Sequence, residues 1–184
     1  SELKEVCTEI IIVIDNLIDQ SEEGSKIKLL VSKMKADFHR YELEFVLEVK
    51  EKIEMIKKTK EFYEQAISYS FLNTKLNHKN KERLNEYDPL KLGIELNYAV
   101  FTYENLENPF ERITKLKLII SNAMKELNLL GDTESKEVIA IIQLMRDNLA
   151  MWQPSFKKDY FKESNNENIN QQFSTNNIDS KIQI

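Results

Sequence analysis

At 184 residues, 41% of them hydrophobic and 31% charged, the chain suits one domain with a sizeable core. A net charge of -5, from 26 Lys and Arg against 31 Asp and Glu, disfavours a general nucleic-acid binder, which needs a clustered basic surface, although a local basic pocket stays open. Three Gly and three Pro supply too few turns for a strand-rich fold, and one cysteine, Cys7, excludes an internal disulfide and a cysteine-based zinc site.

Apolar spacing then predicts six helices. The first covers about Glu2 to Ile18, with Leu3, Val6, Cys7, Ile10, Val13, Ile14 and Leu17 as its stripe. A turn at Ser21 to Ser25 follows. The second helix runs to the mid-forties or beyond on Ile27, Leu30, Val31, Met34, Phe38, Tyr41 and Phe45. A third is marked by Ile56, Phe62, Ala66, Ile67 and Phe71, but no Gly or Pro between Gly24 and Pro89 places its start. The polar, Asn-rich stretch from Asn73 to Tyr87 reads as a long loop. Asp88-Pro89 is an N-cap with first-turn proline, opening a fourth helix to about Leu106. Asn108-Pro109 repeats the device for the fifth, which Gly131 is placed to end near Leu130. Asp132 or Thr133 caps a sixth helix, running to Trp152 before Pro154. Beyond it, a polar tail over 154–184 buries too little apolar surface to offset its ordering entropy.

Three helices carry polar groups on otherwise apolar or packing faces. On the second, Lys33, Asp37, Arg40 and Glu44 share a face and alternate in sign. Arg40 beside the Tyr41 phenol offers a planar fork of donors and a hydroxyl, which suits a phosphate. Taken alone, the helix also reads as a common solvated ladder. On the fourth, Gly93, Asn97, Val100 and Glu104 share a face, with Leu96 at its edge. Gly inside a helix costs roughly 1 kcal/mol against Ala, so a close approach there is expected. Asn97 matches the peptide group of an extended ligand, and an Asn satisfied by a neighbouring helix accounts for it equally well. On the sixth, Ile141, Leu144, Asn148 and Met151 form one face and Ile142, Met145, Leu149 and Trp152 the other. Only one of them belongs to the core, unless the helix is buried on both sides. His39 and His78 have no metal spacing, and no phosphate loop, catalytic triad or metalloprotease motif is present. The reading is therefore non-enzymatic, with no cofactor and no metal.

The stretches KMKADFHRYELEF (Lys33 to Phe45), LGIELNYAVFTYENL (Leu92 to Leu106) and IIQLMRDNLAMW (Ile141 to Trp152) resemble the signature segments of 14-3-3 proteins in order and separation. The resemblance covers about Glu2 to Gln153 and the last six of the family's nine helices. It implies an all-α fold, an antiparallel helical array forming a concave amphipathic groove over residues 1–153, with the polar tail beyond. It implies phosphoserine or phosphothreonine peptides as ligands. Arg40 and Tyr41 would contact the phosphate, and Asn97 and Asn148 the peptide main chain. Lys33 and Glu104 would line the polar side. Leu96, Val100, Ile141, Leu144 and Met151 would form the apolar wall, and Trp152 would close the last helix.

The family completes its phosphate site with a lysine and an arginine on its third helix, and dimerises mainly through its first helices. Since the match starts past them, the expectation is a piece of a longer polypeptide whose first helix lacks part of its packing. A homo- or heterodimer would form through those helices. Ser174, Thr175 and Ser180 in the tail are candidates for phosphorylation and for occupying the chain's own groove at high effective concentration. No apolar run reaches the about 20 residues of a membrane span. The resemblance implies a cytoplasmic setting, the nucleus included, with phosphorylated client proteins as partners and neither membrane nor nucleic acid. The alternatives are a helical-repeat scaffold for unphosphorylated peptides and a degenerate paralogue that has lost phosphate binding.

Overall fold

A computed structural model describes residues 2–75, 85–127, 131, 133 and 135–152. The chain divides into two units, residues 1–145 and 146–184. In the first unit lie α1 (Glu2–Gln20), α2 (Lys26–Glu42), a 3-10 turn (Leu43–Phe45), α3 (Val49–Lys75), α4 (Pro89–Asn105) and α5 (Phe110–Glu126). Residues 135–145 are also helical. Among the described residues there is no strand, and the fold is all-α. The proposed tail with Ser174, Thr175 and Ser180, the Asp132 cap and most of the Asn-rich loop lie outside the described residues.

Local chemistry explains most helix ends. Gly24 takes φ 70° in the turn after α1, a left-handed conformation open to glycine at no steric cost. The Ser25 side chain accepts from the Lys28 amide and caps α2. The Asp88 side chain accepts from the Leu90 amide at 2.8 Å, with Pro89 in the first turn of α4, as the Asp-Pro pair predicts. The Asn-Pro pair works differently. Pro109 is itself the N-cap of α5, and Asn108 Oδ1 accepts from the Phe110 amide at 3.2 Å. The break after α2 falls at Val46, which is extended (φ -86°, ψ 114°). The third helix starts at Val49, well before its expected apolar stripe.

Helices adjacent in sequence pack together, and α2 also touches α4. The stripes sit rotated from their expected positions. On α1, Ile11 and Ile14 are buried while Val6, Ile12, Val13 and Leu17 are exposed. On α2, Val31 is buried as expected, but Ile27, Leu30, Met34 and Tyr41 face outward, and Leu29, Ser32, Ala36 and Asp37 face the core. Small residues at Ser32 and Ala36 let neighbouring helices close on α2. The central cluster joins Leu29, Ala36 and Leu43 to Tyr63, Ala66 and Ile67 of α3 and to Ile94, Tyr98 and Phe101 of α4. Its aromatic layer is stacked, with Tyr63 and Tyr98 centroids 5.2 Å apart.

Polar clamps fasten α4 to α5 and α1 to α2. Glu95 of α4 accepts from Arg112 at 2.6 Å and Lys115 at 2.9 Å, both on α5. Arg112 also lies 4.0 Å above the Tyr98 ring. Burial, then the neighbouring Glu64 carboxylate, push the Tyr98 phenol up to about 12, so it stays a donor to Glu64. Between α1 and α2, Asp15 pairs with Lys35 at 2.7 Å, and Thr8 donates to Glu42 at 3.2 Å. His39 stacks on Phe62 with Nδ1 3.2 Å from Glu42, a packing role. Among the described residues, no group of His, Cys, Asp or Glu is arranged to hold a metal, and no helix is long and apolar enough to cross a membrane.

Candidate functional site

The face of α2 that reads as an alternating-sign ladder is organised by one carboxylate. Asp37 is buried, its side chain only 8% exposed, so its charge requires partners. It has three. Its Oδ2 accepts from Lys33 Nζ at 2.6 Å. Its Oδ1 accepts from the Tyr63 hydroxyl of α3 and from Asn97 Nδ2 of α4, each at 2.8 Å. The Tyr63 hydroxyl in turn accepts from Arg40 Nε at 3.3 Å. Four polar groups from three helices are therefore fixed around Asp37, and among the described residues no buried side-chain N or O lacks a hydrogen bond.

Each partner is left in a defined state. Burial, with Asp37 next, pushes the Tyr63 phenol far above its ordinary value, so it remains a neutral donor to Asp37. Burial works against the Arg40 charge, but Tyr63, Tyr41 and Asp37 outweigh it and the guanidinium ends above its ordinary value. Arg40 also lies 4.6 Å over the Tyr41 ring, so these neighbours do come together. Its bond to Tyr63 uses Nε, which keeps the terminal Nη pair as a two-pronged donor. Asn97 spends Nδ2 on Asp37, which leaves Oδ1 to accept from a ligand main-chain N–H.

Gly93 answers the expected close approach in an unexpected way. A Cβ there would lie 3.4 Å from Lys33 Cε, so the neighbour is the lysine stem on its way to Asp37, not another backbone. That distance is ordinary contact, and Ala recovers helix propensity. Gly93→Ala should therefore raise the thermal midpoint by about 2–4 °C, the equivalent of roughly 1 kcal/mol. A lower midpoint in a thermal melt would show that the added methyl displaces Lys33 from its carboxylate.

Other expected site residues fall as follows. Arg40 and Glu104 line a single recess of about 80 Å³ together with Leu43, Glu44, Lys52 and Asn105. Val100 is half-buried, and Leu96, at 8% exposure, belongs mainly to the core. Ile141 is half-buried and Leu144 exposed, whereas Val138, Ile142 and Met145 are buried, so the core face of residues 135–145 is the one containing Ile142. In the second unit, 146–152 are helical, with Trp152 buried, Asn148 half-buried and Met151 exposed. Tyr63 was missed by sequence reasoning. Its signal was present: Thr59, Tyr63, Ala66 and Ile67 lie at helical spacing and are all buried.

Fold and site define an all-helical protein with a carboxylate-anchored polar site built across α2, α3 and α4. A sequence profile described as 14-3-3 protein matches residues 1–153. The chain is 34% identical over 175 residues to 14-3-3 protein 2 of Solanum lycopersicum, covering 93% of this chain and 64% of that one. It is 32% identical over 155 residues to the 14-3-3 family protein artA of Aspergillus flavus, covering 84% and 60%. With 14-3-3 protein beta/alpha-1 of Oncorhynchus mykiss it shares 29% identity over 152 residues, covering 83% and 58%. The chain belongs to the 14-3-3 family, and it spans less than two thirds of the length of these relatives.

Proposed function

We propose that this chain is a phosphoserine- or phosphothreonine-peptide-binding adaptor, acting by sequestering or remodelling client proteins and without catalysis. The observation that carries the reading is Asp37, a buried carboxylate that holds a guanidinium through Tyr63 and a carboxamide directly. An extended phosphopeptide needs both kinds of group: a planar cation for its phosphate and an acceptor for its main chain. Tyr41 adds its hydroxyl beside Arg40. In the first unit Lys33 and Glu104 give the polar margin, and Val100, Ile141 and Leu144 the apolar one, with Leu96 behind it in the core; Asn148 and Met151, in the second unit, are a further carboxamide and a further apolar group for the same class of ligand. Binding brings no new chemistry. It selects one conformation of the client, with at most the differential affinity the site supplies. A homo- or heterodimer through the family's first helices and a cytoplasmic setting, the nucleus included, are proposed from family membership alone.

Fluorescence anisotropy with one serine peptide in phosphorylated and plain forms tests the proposal. Phosphorylation should tighten binding by at least about 100-fold, since a charge of about -1.5 to -2 meets the Arg40 fork. Equal affinities would replace the reading with a scaffold for unphosphorylated segments or a paralogue without phosphate binding. The same titration on a chain ending at Lys158 tests self-occupation by the tail. Tighter binding without the tail supports it, and an unchanged affinity removes it.

A further inference from the structure

The Tyr63 hydroxyl is the joint of the Asp37 cluster. It donates to Asp37 at 2.8 Å and accepts from Arg40 Nε at 3.3 Å. The second bond lies at the long end of the N–H···O range, so a small displacement of the hydroxyl breaks it while the first survives. A tyrosine hydroxyl is carried rigidly by its ring, and Tyr63 is fully buried. Two aromatic side chains of α4 lie against that ring. Phe101 meets it tilted by 35°, with 5.5 Å between centroids. Tyr98 lies nearly parallel to it, with 9° between planes and 5.2 Å between centroids. Tyr98 therefore covers a face of the ring and opposes its tilting. Tyr98 is in turn anchored outside the Asp37 cluster. Its hydroxyl donates to Glu64 of α3 at 3.1 Å. The Arg112 guanidinium of α5 lies 4.0 Å from its ring centroid and is pinned by Glu95 at 2.6 Å.

We infer that Tyr98 is a positioning residue for the peptide site: stacked on Tyr63, it holds the Tyr63 hydroxyl where that group bridges Asp37 and Arg40. The inference rests on the phosphopeptide reading above and extends it to a residue only 3% exposed, out of a peptide's reach. Without the parallel ring, Tyr63 tilts, and the 3.3 Å bond from Arg40 is the one lost. Arg40 then keeps its charge but not the orientation of its terminal donors. Binding that uses the fork weakens, while Asp37 keeps its bonds to Lys33 and Asn97. Tyr98 also follows Asn97 directly in sequence, so the test separates a route through Asn97 from the route through Tyr63.

The test is a double-mutant cycle, read by anisotropy with the phosphorylated and plain forms of one peptide, on wild type, Tyr98→Leu, Tyr63→Phe and the double variant. Tyr98→Leu should weaken phosphopeptide binding about 5-fold and Tyr63→Phe about 5- to 10-fold, each through loss of one orienting hydrogen bond. The double variant should bind within roughly 2-fold of Tyr63→Phe, because Tyr98 then has no hydroxyl to position. Tyr98→Phe keeps the ring and should stay within about 2-fold of wild type. Ile120→Ala, which opens the buried core two turns beyond Arg112 on α5, should also stay within about 2-fold. The Arg40 Nε–H resonance of the free protein should move in Tyr98→Leu and keep its place in Ile120→Ala. Tyr98→Met, with a flexible side chain that fills more of the space, repeats the measurement if the leucine variant does not fold. Effects of Tyr98→Leu and Tyr63→Phe that multiply in the double variant would put Tyr98 on the other route, through Asn97, and overturn the inference. Tyr98→Leu and Ile120→Ala behaving alike would reduce Tyr98 to core packing and overturn it too. A wild type that does not distinguish the two peptides overturns the phosphopeptide reading, and the inference with it.

Discussion

Arg40→Ala is expected to lower phosphopeptide affinity by at least about 100-fold, roughly 3 kcal/mol, while leaving the fold intact. The first half follows from the guanidinium fork, which no other side chain in the recess reproduces. The second follows from the hydrogen-bond geometry. Arg40 donates to a Tyr63 hydroxyl that itself donates to Asp37 at 2.8 Å, so the buried phenol keeps a partner when the arginine is removed. Arg40→Lys keeps the charge and loses the fork, and should fall between wild type and Ala. Calorimetric titration with the phosphopeptide, paired with a thermal melt, reads both quantities. A large drop in melting midpoint would show that Arg40 is a structural residue and not a ligand-facing one.

Asp37→Ala should do the opposite and damage both. Removing the carboxylate takes an acceptor from three donors at once: the buried Tyr63 hydroxyl, Asn97 Nδ2 and Lys33 Nζ. Leaving a buried group without its partner costs about 1–3 kcal/mol, and more when one member of a buried ion pair is lost. A total of about 3–5 kcal/mol is expected in urea unfolding. Peptide affinity should drop in the fraction that stays folded, because Asn97 and Arg40 lose what orients them. Asp37→Asn keeps the shape and one acceptor oxygen, and should cost less than half as much. An Asp37→Ala protein as stable as wild type would show that solvent, and not Asp37, satisfies these donors.

These two substitutions also show what the sequence could and could not reveal. The polar face of α2 was legible, because spacings of four and three put Lys33, Asp37 and Arg40 on one side of any helix. The partners were not. Asp37 meets Tyr63 from 26 positions away and Asn97 from 60, and no local pattern encodes such pairs. A ladder of neighbours along the helix was the natural expectation, yet of its pairs only Lys33 with Asp37 is an ion pair of 2.6 Å in the structure. Helix starts with dedicated chemistry, such as Asp88-Pro89, were readable to the residue. The start of α3 was hidden because its first turns carry exposed apolar residues, Val49 and Ile53, and no capping or turn residue. The stripes of α1 and α2 were misplaced for a related reason. Apolar side chains stand on both sides of these helices, so period alone does not choose the inward face, and on α2 the small and polar Ser32, Ala36 and Asp37 share it with Leu29 and Val31. On the last helix the same ambiguity was resolved by burial, in favour of the Ile142 face.

The central claim is that Arg40 and Asn97 serve one ligand because Asp37 holds them both. Side-chain NMR tests it most directly, following the Arg40 Nε–H and Asn97 Nδ2–H₂ resonances while phosphopeptide is added. The account predicts that both signals move and saturate along one binding curve, and that the plain peptide at equal concentration leaves them in place. Movement of one signal without the other, or equal movement with the plain peptide, would contradict it.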